Sequence, residues 1–153
     1  MTFQELQFLY NESKKYNSIL EVYPENGRGT HALITGCNGI VTILTKTNDN
    51  TQLLESIEYP GNLRVVTSDN VNKIKDEKFD LIIINLENGI SETDTKNRIL
   101  EWEFNAKRIL CGHNYNNNKK NIDSVVEISD KVDNIWYKNI SQFEKTITYR
   151  RKN

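Results

Sequence analysis

The side chains best suited to chemistry stand just behind short apolar runs. Glu21 closes one such run and opens EVYPENGRGTHAL, residues 21–33, where Gly27 and Gly29 lead into a helix-like segment. A glycine-bearing passage from strand to helix exposes backbone N–H groups at a helix start and admits a nucleotide-like cofactor. Tyr23 and Pro24 occupy the tightest part of that passage, and a proline biases the residue before it toward extended backbone. His113 follows the run KRILCG; an imidazole there suits a general base near neutral pH, and equally suits hydrogen bonding within its own loop. His31 falls inside the helix-like run and reads as a structural or surface residue. Cys37 and Cys111 show neither metal-ligand spacing nor a disulfide framework, so both read as buried, reduced thiols.

The elements that must position these groups alternate along the chain. TFQELQFLYNESKKY carries Phe3, Leu6, Leu9 and Tyr10 at helical spacing, with a Thr2–Glu5 capping box at its start. SILEVY is a first strand, GTHALITG a helix closed by Gly36, and IVTILT, residues 40–45, a β-branched second strand. Asp49 caps a helix TQLLESIE that stops before Pro60. LRVVT is a third strand, and Ser68 and Asp69 offer N-caps for a helix NVNKIKDE. In KFDLIIINL the unbroken run Leu81 to Ile84 marks a strand buried on both faces. A polar helix from Ser91 to about Asn105 turns Ile99, Trp102 and Phe104 to the core, and KRILCG is a fifth strand. NIDSVVEISDKV is a helix, and NIWYKNI and KTITYR close the chain as two strands with no helix-length segment between them. Five strand–helix cycles imply a parallel sheet with helices on both faces, here with an antiparallel strand pair at the end. Ligands on such sheets sit outside the carboxyl ends of the strands, where strand order reverses.

Composition narrows the classes. A chain of 153 residues suits a single domain, 1–153, with its own core. A net charge of -1 argues against a general polyanion binder, and the terminal YRRKN reads as a solvated tail, so nucleic acid is not an expected partner. Neither a membrane-length apolar run nor a signal peptide is expected, which points to a soluble, cytoplasmic protein. The abundance of Asn and Lys suits an AT-rich genome such as a virus carries. A dinucleotide-dependent enzyme fits poorly, because no G-x-G-x-x-G follows the first strand and no acid ends the second.

Several segments taken in order resemble the class I S-adenosylmethionine-dependent methyltransferases. SILEVYPENGRGTHAL is similar to the first motif of the branch whose loop reads roughly E-[IV]-G-x-x-x-G-x-S-T. KFDLIIINLEN is similar to its fourth strand, usually F-D-hydrophobic-D-G-x-H, and ILCGHNY to its fifth-strand segment G-G-x-[IV]-x-x-H-D-[YF]. VVEISDKVDNIWYKNI looks like the helix and strand that follow. The resemblance implies a Rossmann-like, three-layer αβα fold with a seven-stranded, mostly parallel sheet ending in an antiparallel strand pair. It implies S-adenosylmethionine as cofactor, lined by Glu21, Tyr23, Gly27, Thr45, Asp69 and Asn85; the acids that can bind a divalent metal in relatives are Asn here, so no metal is expected. Thr30 matches the hydroxyl at the helix start.

The departures fall where chemistry would be done. Tyr23 replaces the glycine directly after the first strand. Thr45, followed by Lys46, replaces the acid that accepts from ribose hydroxyls. Asn85 and Asn114 replace aspartates. An amide is a poor general base and a weak ligand for a hard cation. His113 and Glu87 are then the titratable groups at the ends of the two central strands on the acceptor side. Asp69 reads equally as a helix cap. Two functions follow from the resemblance: methyl transfer to an unknown small-molecule or macromolecular acceptor, or a non-catalytic binding or assembly module of the same fold, working as a homo-oligomer or beside a partner subunit.

Overall fold

The computed structural model describes residues 3–24, 27–46, 62–86, 89–112, 132–135 and 147–151. The expected helix at 51–58, that at 121–132 except its last residue Val132, which is strand, the Thr2–Glu5 capping box, Asp49, and the candidates Glu87, His113 and Asn114 lie outside the described residues.

The chain opens with α1 (Phe3–Ser13), β1 (Ser18–Val22), α2 (Arg28–Gly36) and β2 (Ile40–Thr45). β3 (Leu63–Thr67) runs into a 3-10 turn at Ser68–Lys73, and β4 (Phe79–Asn85) is followed by α3 (Glu92–Leu100). A short 3-10 turn at Glu103–Asn105 leads to β5 (Ala106–Gly112), and β6 (Val132–Ile135) and β7 (Ile147–Arg151) end the chain. The strands form one seven-stranded sheet in the order β3-β2-β1-β4-β5-β7-β6. β1 to β5 are mutually parallel, while β7 is antiparallel to both β5 and β6. The edge strand β6 therefore runs with the first five, and β7 alone runs against them.

Alternation along the strands divides the core into two layers. Ile19, Val41, Ile43, Leu81 and Ile83 pack with Leu33 and Ile34 of α2 and Leu9 of α1. The neighbouring positions Leu20, Leu44, Ile82 and Ile84 pack with Ile99 of α3 and with Trp102. Leu81 to Ile84 thus supplies both layers in turn, which is why the run carries no polar residue. α1 and α2 lie close together because position 36 is glycine: a Cβ there would meet Ser13 Oγ and the Tyr10 carbonyl. Among the described residues, no helix is long and apolar enough to cross a membrane.

Some local expectations are corrected. The segment after β3 forms a 3-10 turn, not the helix NVNKIKDE, and the residue at its cap is Thr67 in place of Ser68 or Asp69. Ile74, just past the turn, plugs the core at 1% exposure, and Val71 within the turn packs against the same cluster. α3 stops at Leu100. Trp102 fills the core beyond it, and Phe104, turned outward by the following 3-10 turn, is 53% exposed. β6 begins at Val132, earlier than NIWYKNI suggests.

Candidate functional site

Strand order reverses between β1 and β4. From β1 the chain builds outward through β2 to β3, then returns to lay β4 and β5 on the other side. A crevice at such a reversal is the expected ligand position, because the connections leave the carboxyl edge in opposite directions there. Val22 is in register with Leu44 on one side and Ile84 on the other. Thr45 is level with Thr67, and Asn85 with Gly112. Tyr23, Thr45 and Asn85 therefore stand at the same level of the carboxyl edge, one residue beyond Val22, Leu44 and Ile84.

Below them lies Glu21, only 2% exposed. Its Oε2 accepts from Thr30 Oγ1 at 2.5 Å, and its Oε1 from Asn85 Nδ2 at 3.4 Å. The same amide nitrogen donates to the Val22 carbonyl at 3.2 Å. Burial pushes the Glu21 carboxyl up to about 7, against the pull of the hydrogen bonds from Thr30 and Asn85. An acid of this kind is partly protonated at neutral pH and titrates where catalytic groups work. Glu21, Thr45 and Asn85 occupy strand positions alternate with the α3-side residues, so all three belong to the α1/α2 side of the sheet.

The passage into α2 is shaped by Gly27, whose φ of 78° suits glycine and whose carbonyl accepts the His31 N–H at 2.9 Å to start the helix. Thr30 sits in the first turn of that helix and is fully buried, which brings its hydroxyl to Glu21. His31 is exposed, as expected of a surface residue.

Tyr23 is not extended. Its φ is 55°, the left-handed region, which costs a residue with a Cβ roughly 1–2 kcal/mol. The chain must leave the sheet here while the Tyr23 N–H still pairs with the Leu44 carbonyl at 2.8 Å, and the left-handed turn does both. The turn also moves the ring to the other side of the edge. A continued strand would place it beside Glu21; instead it packs on the α3-side cluster. There Arg98 lies 5.0 Å from the ring centroid and Lys46 5.5 Å from it. Arg98 also donates to the Asn85 carbonyl at 3.0 Å, tying α3 to the end of β4.

Thr45 is buried at 3% exposure, and its hydroxyl has no hydrogen-bond partner among the described residues. Asp69 is exposed in the turn beyond β3, two strands away from β1. The structure thus joins Glu21 and Asn85 directly, and sets Tyr23 and Thr45 at the same edge. Gly27 opens the neighbouring helix, and Asp69 stands apart. Arg98 escaped sequence reading altogether. Nothing around it in ETDTKNRIL forms a motif, and only the packing of α3 against the edge brings it to Tyr23. Among the described residues, no group of His, Cys, Asp and Glu could hold a metal ion.

No protein-family model and no curated protein matches this chain. Solved structures do. The O-methyltransferase from Bacillus cereus in complex with SAH is similar over 99% of this chain and 82% of its own, with 16% identity and a TM-score of 0.75. Cofactor-bound Rv0187 from MTB is similar over 100% of this chain and 82% of its own, at 16% identity and a TM-score of 0.72. A protein from Staphylococcus aureus described as a caffeoyl-CoA O-methyltransferase aligns over 99% of this chain and 85% of its own, at 10% identity and a TM-score of 0.72. The architecture is α/β and Rossmann-like. More narrowly, the chain has the fold of the class I S-adenosylmethionine-dependent methyltransferases.

Proposed function

We propose that the carboxyl edge at the β1/β4 reversal binds S-adenosylmethionine and that the chain transfers its methyl group to an acceptor. The observation that carries this reading is the buried Glu21, joined to Thr30 of α2 and Asn85 of β4 at the point where a ligand is expected. A buried acid whose carboxyl is pushed up to about 7 loses stability as pH rises through neutrality, a cost that a cationic ligand group beside it would offset.

The residues present fit the cofactor. The unpartnered Thr45 hydroxyl ends β2 and offers a hydrogen bond that nothing in the described fold takes up. The left-handed backbone at Tyr23 and Gly27 clears the passage from β1 to α2. Glu21, Tyr23, Gly27, Thr45 and Asn85 would hold the group, with Asp69 at the far rim. When bound, S-adenosylmethionine supplies a methyl group activated on a sulfonium. The task left to the chain is to orient an acceptor in line with it and exclude water, which is the larger part of such catalysis. His113 and Glu87 are proposed as the acceptor-side groups, His113 to take the acceptor's proton. A cytoplasmic setting, and a self-association or partner subunit, belong to the same proposal.

Two departures favour a second reading, a non-catalytic module of this fold. Thr45 offers a single hydroxyl where ribose recognition calls for two acceptors, and Asn85 carries no charge. Calorimetric titration with S-adenosylmethionine and S-adenosylhomocysteine separates the two. Binding is expected for both, and Thr45→Val, which keeps the shape and removes the hydroxyl, is expected to weaken it by roughly tenfold. Absence of binding to either compound rejects the cofactor site. Binding without methyl transfer to any acceptor leaves the binding module.

A further inference from the structure

Glu21 is held by uncharged partners. Its two oxygens accept from Thr30 Oγ1 and Asn85 Nδ2, and the residue is 2% exposed. Burial without a countercharge favours the neutral carboxyl, and the partners fix where its proton sits. The Asn85 amide nitrogen carries only donors and also holds the Val22 carbonyl, so Oε1 stays an acceptor. Thr30 Oγ1 both donates and accepts. The proton therefore rides on Oε2, shared with Thr30 at 2.5 Å. The charged groups of the surrounding elements lie elsewhere. On the face of Glu21, α2 places Thr30, β2 places Thr45 and β4 places Asn85. Arg28 and His31 of α2 are exposed. Among the described side chains of α1, Glu12 is paired with Lys15 at 2.6 Å and the Tyr10 ring lies under Lys14, both in the half of the helix next to the start of β1. Asp80 of β4 is at that amino edge too, paired with Lys107. Lys46 lies over the Tyr23 ring, on the α3 side. The left-handed turn at Tyr23 takes that ring off the Glu21 face, so β1 itself sends no side chain over the carboxyl.

We propose that the carboxyl edge binds its ligand by proton exchange: a cationic group of the ligand settles near Glu21, and the carboxyl gives up its proton to solvent. The inference rests on reading this edge as the S-adenosylmethionine site, and adds that the ammonium of the amino-acid end is the group Glu21 senses. Direct contact is not needed, because opposite charges attract over several ångströms where water does not screen them. The bond that breaks is the O–H of Glu21. The Thr30 hydroxyl then turns to donate to Oε2, and the proton passes to the buffer. The folded carboxyl, pushed up to about 7 by burial, is mostly protonated below neutrality, so acid opposes binding. Affinity for a cationic ligand is full above about pH 7 and falls as pH drops below it. An uncharged ligand at the same edge leaves the proton in place.

The test titrates S-adenosylhomocysteine, which keeps its ammonium throughout, into the full chain. Between about pH 5.5 and about pH 7.5 its affinity is expected to rise roughly tenfold. 5′-Methylthioadenosine keeps the nucleoside and the thioether but has no ammonium, and its affinity should stay level. Near pH 6, calorimetry in two buffers of different ionisation heat should show most of a proton released for each S-adenosylhomocysteine bound. Glu21→Gln, which copies the protonated acid, should abolish both the release and the rise. Should that variant fail to fold, the proton count in the unmodified chain still decides. S-adenosylhomocysteine that binds equally at both pH values and releases no proton overturns the exchange and leaves the cofactor reading standing. The same rise with methylthioadenosine, or a rise that survives in Glu21→Gln, also overturns it. No binding of S-adenosylhomocysteine at either pH rejects the cofactor reading and the exchange together.

Discussion

The two ends of the same parallel sheet treat their polar groups in opposite ways. At the amino edge, Asp80 near the start of β4 accepts from Lys107 at 2.7 Å and from the Asn17 N–H at 3.3 Å. Its carboxyl is held below the usual range, first by the hydrogen bond from Lys107. At the carboxyl edge, Glu21 is pushed up to about 7 by burial, the Thr45 hydroxyl lacks a partner among the described residues, and Tyr23 holds a left-handed backbone. A missing partner alone does not separate the edges, since Asn62 Oδ1 beside the start of β3 and Trp102 Nε1 also lack one among the described residues; the raised Glu21 carboxyl and the left-handed Tyr23 do. Groups left in costly states need another reason to be there, and in an α/β sheet that reason is usually a ligand at the carboxyl edge.

The largest expected effect tests the cost of the Glu21 network directly. Asn85→Asp restores the residue type that the methyltransferase resemblance leads one to expect. It also replaces a donor with a carboxylate facing Glu21 Oε1 and the Val22 carbonyl, both acceptors. The variant should lose roughly 3–5 kcal/mol at pH 8, where both acids are driven to ionise in a buried site. Urea unfolding measures it. A variant as stable as the parent would mean that the amide is not spent on holding Glu21.

The next effect is a pH dependence whose sign differs between the edges. The unfolded chain gives up the Glu21 proton near 4.5 and the folded chain keeps it to about 7. Between those values the folded state binds more protons, so stability falls as pH rises. A carboxyl held at about 7 against 4.5 corresponds to roughly 3 kcal/mol lost across that window. Glu21→Gln should flatten the profile there. Asp80 acts in the reverse sense: its stabilisation is present above its unfolded value and disappears as pH falls through the lower folded one. A chain whose stability rises between pH 4.5 and 7 and does so equally in Glu21→Gln would remove Glu21 from this account.

How far these features could be read in advance depends on their range along the chain. IVTILT became β2 at residues 40–45 because β-branched alternation is a local signal. DLIIIN became a central strand because an unbroken apolar run has nowhere else to go. Glu21 and Thr30 were each singled out by the resemblance, but their hydrogen bond across nine residues emerges only from the fold. Tyr23 was misjudged because the local rule, that proline extends its predecessor, yields to the sheet: the Leu44 carbonyl claims its N–H while the chain must turn away. Arg98 could not be found because its meeting with Tyr23 exists only after α3 has packed.

Tyr23 offers a smaller and sharper measurement. Tyr23→Gly and Tyr23→Ala both delete the ring and its contacts with Arg98 and Lys46, so those losses cancel in the comparison. What remains is the left-handed backbone at φ 55°, which glycine tolerates and alanine does not. The glycine variant should be the more stable by about 1 kcal/mol, despite its greater freedom when unfolded. Alanine equal to or better than glycine would show that the turn is not left-handed in solution.

The smallest effect belongs to the amino edge and checks the contrast from its quiet side. Lys107 and Asp80 make a short ion pair at 2.7 Å, yet the lysine side chain is 79% exposed. Water solvates most of the ammonium whether or not the pair forms, salt screens it, and ordering a long side chain offsets part of the attraction. Lys107→Ala should therefore cost about 0.5 kcal/mol or less at moderate salt, and less still as salt is raised. Asp80→Asn should cost somewhat more, because the Asn17 N–H also relies on that carboxylate. A loss from Lys107→Ala comparable to that of Asn85→Asp would mean that paired charges at the amino edge matter as much as the strained groups opposite, and the asymmetry between the edges would no longer point to a ligand.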